Sequence, residues 1–194
     1  MPDLLVGVSL AACWGIVVVV WIAGAVYGAL RASKGRVRDR SSSLAYLGAT
    51  VICAAAVMLG YDFFHGLTLD AAWIKWTGLV LLLVSTGFSL WARFTLGTMW
   101  SATPQVGAER RLRTGGPYGV TRHPIYTGFL GMIASTTFLA GGHELLAIFA
   151  VGAVLFEVKI HQEERLMLAA FPAEYAAYRR RVPQIVPGLR LPGS

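Results

Sequence analysis

The chain has 194 residues, of which 56% are apolar and only 14% charged, with a mean hydropathy of +0.60. Soluble domains carry roughly 25% charged residues, so this composition excludes an ordinary soluble enzyme and predicts one integral membrane domain over 1–194. The formal charge of +7 sits in connections that flank apolar runs, which fits membrane orientation and anionic lipid headgroups rather than nucleic acid.

A membrane span needs about 20 apolar residues. Residues 4–30, 44–61 and 71–91 meet that need and predict three N-terminal spans within 1–91. The opening Met1-Pro2-Asp3 has no positive charge and leads into a long apolar run, so a cleaved signal peptide is not expected. Cys13 and Cys53 both lie inside apolar runs and read as packing thiols. The stretch 97–116 is polar, with scattered Gly and Pro, and is too long for a simple turn. Residues 125–139 and 145–160 predict a fourth and a fifth span, both short, as a tight helical hairpin over 125–160. The helix then continues through Phe171, and Pro172 opens another over 173–182. There Tyr175 and Tyr178 face membrane or protein, and Arg179–Arg181 face headgroups or solvent. Pro183, Pro187 and Pro192 make the tail extended.

Of the 17 Lys and Arg residues, all but Lys75 fall on one side of this arrangement. The positive-inside rule makes that side cytoplasmic. The expectation is a multi-pass protein of an inner or plasma membrane, an all-α bundle of about five transmembrane helices, with the N-terminus outside and the C-terminus inside. The polar segments 97–124 and 159–187 then share the cytoplasmic face.

Those two segments hold the residues that suggest chemistry. Gly115, Gly116, Pro117 and Tyr118 permit a tight turn and a close backbone approach to a ligand, though a plain loop has the same composition. Arg122-His123-Pro124 is stronger. Pro124 suits the first turn of the fourth span, and free amides at that helix start favour an anion. Arg122 adds a fork of donors matched to a carboxylate. Tyr126, three positions after His123, shares its face on a helix. Glu163 and Glu164 follow the fifth span. They point about 100° apart on a helix, so one is expected to order the site while the other binds. Lys159 lies four residues before Glu163, and Glu157 four before His161, spacings that equally suit a solvated, salt-bridged helix. Metal-ligand spacing, a phosphate-binding loop and a serine-hydrolase elbow are all missing from the sequence.

The joint pattern resembles the isoprenylcysteine carboxyl methyltransferase family and its bacterial relatives. The matching residues are Leu96-Gly97 with Trp100-Ser101, Leu112, Gly116-Pro117-Tyr118, Arg122-His123-Pro124 with Tyr126 and Gly128, the Glu163-Glu164 pair, Phe171 with Tyr175 and Tyr178, and Val182-Pro183. Arg110, Lys159 and Pro172 depart from the usual pattern. The resemblance implies S-adenosylmethionine as methyl donor, held in a cytosolic pocket built from the 97–124 connection and the C-terminal helices, with 92–187 as the cofactor-binding and catalytic core. Cofactor contacts are implied for Leu112, Gly116, Pro117, Tyr118, His123, Pro124, Tyr126, Glu163 and Glu164, catalytic roles for Arg122 and Glu163, and substrate contacts for Trp100 and Arg122. The implied acceptor is a lipophilic small molecule or a lipid-modified group, a carboxylate first, then a thiol or an amine. An NADPH-dependent sterol or steroid reductase is a second reading, since Arg110, Arg111 and Arg113 suit a 2′-phosphate. A non-enzymatic membrane scaffold is a third.

Overall fold

A computed structural model describes residues 3–31, 71–97, 112–140 and 144–189. The described residues form five helices and their connections, with no strand among them: α1 (Asp3–Arg31), α2 (Ala72–Leu96), α3 (Pro124–Ala140), α4 (Glu144–Ala170) and α5 (Pro172–Arg181), with a short 3-10 turn at Gly116–Gly119. The expected second span, 44–61, lies outside the described residues, as do Trp100, Ser101, Arg110 and Arg111.

Two of these helices are long and apolar enough to cross a membrane, over Asp3–Gly24 and Ala72–Leu96. α2 runs to Leu96, five positions past the expected end. No helix breaker intervenes until Gly97, which adopts φ +52° and ends the helix as glycine alone does cheaply. Arg93 Nη1 donates to the Gly97 carbonyl at 3.1 Å and ties off that terminus. Large aromatic side chains are exposed at both ends of α2, Trp73 and Trp76 at one, Trp91 and Phe94 at the other. About 27 Å of helix rise separates Trp73 from Trp91, close to the ~30 Å of a bilayer core. Aromatic side chains at this spacing suit the two interfaces of a bilayer. α3 has 17 residues, about 25 Å, a short apolar helix at the place where the sequence leads one to expect a short one. α4 is 27 residues long and runs without a break from the apolar stretch expected as a fifth span into the charged segment.

The chain divides into two compact units. The first joins Met1–Leu83 with Leu130–Leu155, the second Val84–Phe129 with Phe156–Ser194. In the first, Trp14 Nε1 donates to Thr136 Oγ1 at 3.1 Å, a polar link between α1 and α3 of the kind that holds helices together in lipid. α2 and α3 pack closely there: a Cβ at Gly78 would lie 2.9 Å from Phe138 Cβ. In the second, Gly128 of α3 lies against Ser85 and Ser89 of α2. Ser89 is fully buried, and its Oγ reaches the Ile125 carbonyl at 3.5 Å. This close approach fixes the first turn of α3, on which the site is built.

Candidate active site

Pro124 is buried and begins α3. Its missing N–H and fixed φ suit the first helical position. His123 is the residue before it, and its carbonyl accepts the Thr127 N–H at 3.0 Å. The Arg122 and His123 amides cannot join the helix. They donate instead to the carbonyls of Pro183 and Gln184, at 2.8 and 3.1 Å. The Thr127 hydroxyl lies 2.6 Å from the Ile185 carbonyl, with Thr121 Oγ1 3.2 Å away on its other side. The extended tail after α5 is thus strapped along the start of α3. Val182 and Pro183 were noted in the sequence. Thr127, Gln184 and Ile185 were not, and no spacing rule would have found them, because their contribution is mostly backbone.

Arg122 lies at the centre. Its Nε donates to Glu164 Oε1 at 2.8 Å, and the two side chains are 1% and 10% exposed. Its Nη1 lies 3.1 Å from the carbonyls of Arg179 and of Val182, which terminate α5. Its Nη2 is buried and finds no hydrogen-bond partner among the described residues. Arg179 returns to the same carboxylate, its Nε 3.5 Å from Glu164 Oε2.

The two glutamates do not separate as their 100° offset predicts. His123 lies between their directions and meets both, with Nε2 3.3 Å from Glu164 Oε1 and Nδ1 3.6 Å from Glu163 Oε2. Beyond the ring they do diverge. Glu164 turns to Arg122 and Arg179, while Glu163 accepts the Tyr126 hydroxyl at 2.6 Å and lies 3.7 Å from Lys159 Nζ. Glu163 keeps a quarter of its side chain exposed. Tyr126 stacks on His123 at 5.8 Å and on Phe156 at 4.9 Å between ring centroids.

Burial opposes charge on all three central groups, but the pairing outweighs it. Burial lowers the His123 pKa, yet hydrogen bonds and charge from Glu163 and Glu164 raise it above its ordinary value overall. Burial raises the Glu163 carboxyl, yet His123, Tyr126 and Lys159 bring it below the usual range. Glu164 follows the same balance, with His123, Arg122 and Arg179 as the opposing partners. The two carboxylates therefore favour the protonated form of His123 and are themselves favoured in their ionised forms, with the Arg122 guanidinium behind Glu164.

The 3-10 turn at Gly116–Gly119 leads into this cluster. Gly116 has φ +62°, a conformation that favours glycine. Pro117 is buried and its carbonyl caps the turn, accepting the Val120 and Thr121 amides at 3.1 Å each. The Tyr118 carbonyl accepts the Tyr178 hydroxyl at 2.6 Å, and Tyr175 and Tyr178 are both 3% exposed. Those two tyrosines face protein. Leu112 is half-buried at the start of the described segment. Arg122, His123, Tyr126, Glu163 and Glu164 are brought into one connected cluster, and the turn is tied to α5 beside it.

Residues 77–169 match the model of the isoprenylcysteine carboxyl methyltransferase (ICMT) family. The chain is similar over 128 residues to the cobalt-zinc-cadmium resistance protein CzcN of Cupriavidus metallidurans, 37% identical across 63% of this chain and 55% of that protein. Methanethiol S-methyltransferase 2 of Bradyrhizobium diazoefficiens is 34% identical over 127 residues, 61% of this chain and 48% of that one. The chain spans about half the length of these curated relatives. The solved structure of the eukaryotic intramembrane Ras methyltransferase ICMT matches in fold with a TM-score of 0.57 at 23% identity, over 78% of this chain and 54% of that one. The apolar helices and this fold are those of a membrane protein.

Proposed function

We propose, from the match of residues 77–169 to the isoprenylcysteine carboxyl methyltransferase (ICMT) family model, that this chain is a member of that family and transfers a methyl group from S-adenosylmethionine to an amphiphilic acceptor at the cytosolic membrane face. The carrying observation is the Arg122 Nη2 group, buried and without a partner among the described residues, in the same His123-linked cluster as a partly exposed Glu163 whose carboxyl is held below its ordinary range. A buried guanidinium nitrogen with an open donor site suits a carboxylate, and an exposed carboxylate edge suits an ammonium or hydroxyls. S-adenosylmethionine carries all of these, so the residues fit it. When bound, it supplies an electrophilic methyl on a sulfonium.

We assign the cofactor to the cluster of His123, Pro124, Tyr126, Glu163 and Glu164, with Leu112 and the Gly116-Pro117-Tyr118 turn beside it. In this reading residues 92–187 are the core, and the N-terminal spans hold it in the bilayer. Arg122 Nη2 binds a carboxylate, either the cofactor's or the acceptor's. Tyr126 holds Glu163 in place through its 2.6 Å hydrogen bond, and we assign Trp100, which lies outside the described residues, to the acceptor on the family resemblance.

The acceptor follows from the state of the cluster. Both carboxylates raise the His123 pKa and favour its protonated form, and both glutamates are held below their ordinary pKa values. The two depressed carboxylates are weak general bases near neutral pH, and their pairing with His123 opposes its use as one. A nucleophile that arrives already anionic is favoured, and a carboxylate satisfies this at neutral pH where a thiol or an amine does not. Catalysis is then positioning in a site that excludes water.

Calorimetry of detergent-purified protein with S-adenosylmethionine and with NADPH tests the cofactor. Binding of the first only, weakened about 10-fold or more by Glu163→Ala, is expected. Saturable NADPH binding would establish the reductase reading instead. For the acceptor, methylation of a carboxylate substrate is expected to be flat between pH 6.5 and 8 (roughly; both well above a carboxyl pKa). A rate rising about tenfold per pH unit would instead indicate an acceptor that must lose a proton first, a thiol or an amine.

A further inference from the structure

The last turn of α5 carries Arg179, Arg180 and Arg181. Cations at a helix C-terminus satisfy its dipole, and Arg181 Nε does reach back to the Ala177 carbonyl, at 3.4 Å. That account leaves the following residues unexplained. Arg180 and Arg181 are exposed, and a turn closed by the Leu189 N–H on the Val186 carbonyl, at 3.1 Å, comes just after them. It displays Val186 and Leu189, 51% and 52% exposed. Two arginines followed by two bare aliphatic side chains on a turn combine the two terms of binding to an anionic bilayer surface, charge attraction and shallow apolar insertion.

The depth is right for this. Trp91 is one of the exposed aromatics of α2 that suit a bilayer interface. A Cβ on Gly116 would lie 3.5 Å from Trp91 Cζ2, so the Gly116–Gly119 turn sits at the level of an interfacial tryptophan. The same turn bonds to α5, Tyr178 Oη donating to the Tyr118 carbonyl at 2.6 Å. Tyr178 is one residue before the arginine run.

The run is also part of the site. The Arg179 and Val182 carbonyls lie 3.1 Å from Arg122 Nη1, and Arg179 Nε faces Glu164. We propose that Arg180 and Arg181, with Val186 and Leu189, dock on the anionic headgroups of the bilayer the chain crosses, and that this docking steadies the strap and the Arg122–Glu164 pair. Anionic lipid is then a positive effector of the site, acting through the tail.

The test is amide hydrogen exchange on the full chain in nanodiscs of phosphatidylcholine alone or with 30% phosphatidylglycerol (about that fraction, enough for a negative surface potential). The Arg122, His123 and Val182 amides, all hydrogen-bonded in the strap or at the end of α5, report on it without any cofactor. Their exchange is expected to slow by roughly 5- to 30-fold in the anionic discs, the range for one to two arginines at such a surface. The effect is expected to vanish in Arg180→Gln/Arg181→Gln and to shrink in Val186→Ser/Leu189→Ser. In the wild type it should also fade in high salt, which screens the attraction. Equal exchange in both discs, or an undiminished lipid effect in the arginine variant or in high salt, would overturn the proposal. So would the same slowing in phosphatidylcholine discs given inorganic phosphate, which would assign the arginines to a soluble anion. Failure here leaves the cofactor titration untouched, and the reverse also holds.

Discussion

Arg122 and Glu164 form a charge-assisted hydrogen bond of 2.8 Å across 42 positions of sequence, with both side chains almost excluded from solvent. Few polar contacts are so costly to half-remove, because the remaining charge stays buried. Glu164→Gln is expected to destabilise the protein by about 3–5 kcal/mol, read by thermal unfolding in detergent. Replacing both residues by Met is expected to cost less than the sum of the single changes. Simple additivity would show that the pair is not a unit.

Tyr126→Phe keeps the stack on Phe156 at 4.9 Å and removes only the donor to Glu163. A hydrogen bond to a charged group contributes about 1.5–3 kcal/mol. The expected result is a rise of about 10-fold or more in the S-adenosylmethionine dissociation constant, with little change in melting temperature. An unchanged affinity would remove Tyr126 from the positioning of Glu163.

Gly128→Ala tests the packing that supports the start of α3. The new methyl would collide with Ser89 Oγ and lie 2.8 Å from the Ser85 carbonyl. The carbonyl belongs to helix backbone and cannot step aside, so a loss of about 1–3 kcal/mol or more is expected. Gly152→Ala is the control, since its Cβ would meet only Ile133 Cδ1 at an ordinary 3.5 Å. Equal unfolding temperatures for the two variants would refute the close approach.

The strap predicts a local opening. Thr127→Val removes the hydroxyl beside the Ile185 carbonyl and leaves that oxygen without its donor. Amides of Arg122 and His123, bonded to Pro183 and Gln184, should then exchange faster by about 5-fold or more, in line with the loss of one hydrogen bond. Amides in the middle of α4 should not change.

The pH dependence has two limbs of opposite origin. Glu163 and Glu164 are held below their ordinary value of 4.5, so their contribution is complete above that value and is lost as pH falls through their depressed folded values. His123 is raised above its ordinary 6.5, so its contribution is complete below that value and is lost as pH rises through its elevated folded value. Melting temperature is therefore expected to be highest between about pH 4.5 and 6.5 and to decline on the alkaline side. His123→Gln should flatten the alkaline limb specifically. A wild-type profile level from pH 6 to 9 (roughly two units past the ordinary histidine value) would contradict an imidazolium between the carboxylates.

The apolar runs announced α1, α2 and the length of α3, because a bilayer imposes a length on any helix that crosses it. Pro172 announced α5 and Pro124 the start of α3 for equally local reasons. The Arg122, His123, Tyr126, Glu163 and Glu164 set was legible as a combination of charged groups at one end of a hairpin. Its pairing was not. The glutamates' helical offset argued for separate partners, and only the position of a third ring, His123, lets both converge. The strap was invisible because Arg122 and His123 are held by the carbonyls of Arg179 and of Val182 to Gln184, and a carbonyl is the one group every residue possesses. The boundary of α2 was missed by the distance from the last apolar run to the first residue able to stop a helix, Gly97.

The strap also sets an order of events during synthesis. Arg122 leaves the ribosome 60 residues ahead of Val182, whose carbonyl it needs, and 42 ahead of Glu164. Its guanidinium must therefore wait in water or among headgroups while the helices behind it are still being made. The cluster cannot close until the tail has been released. A fusion or cut just after Arg181 would strike the middle of the site rather than its margin, and would leave a protein fully inserted in the membrane around an open centre.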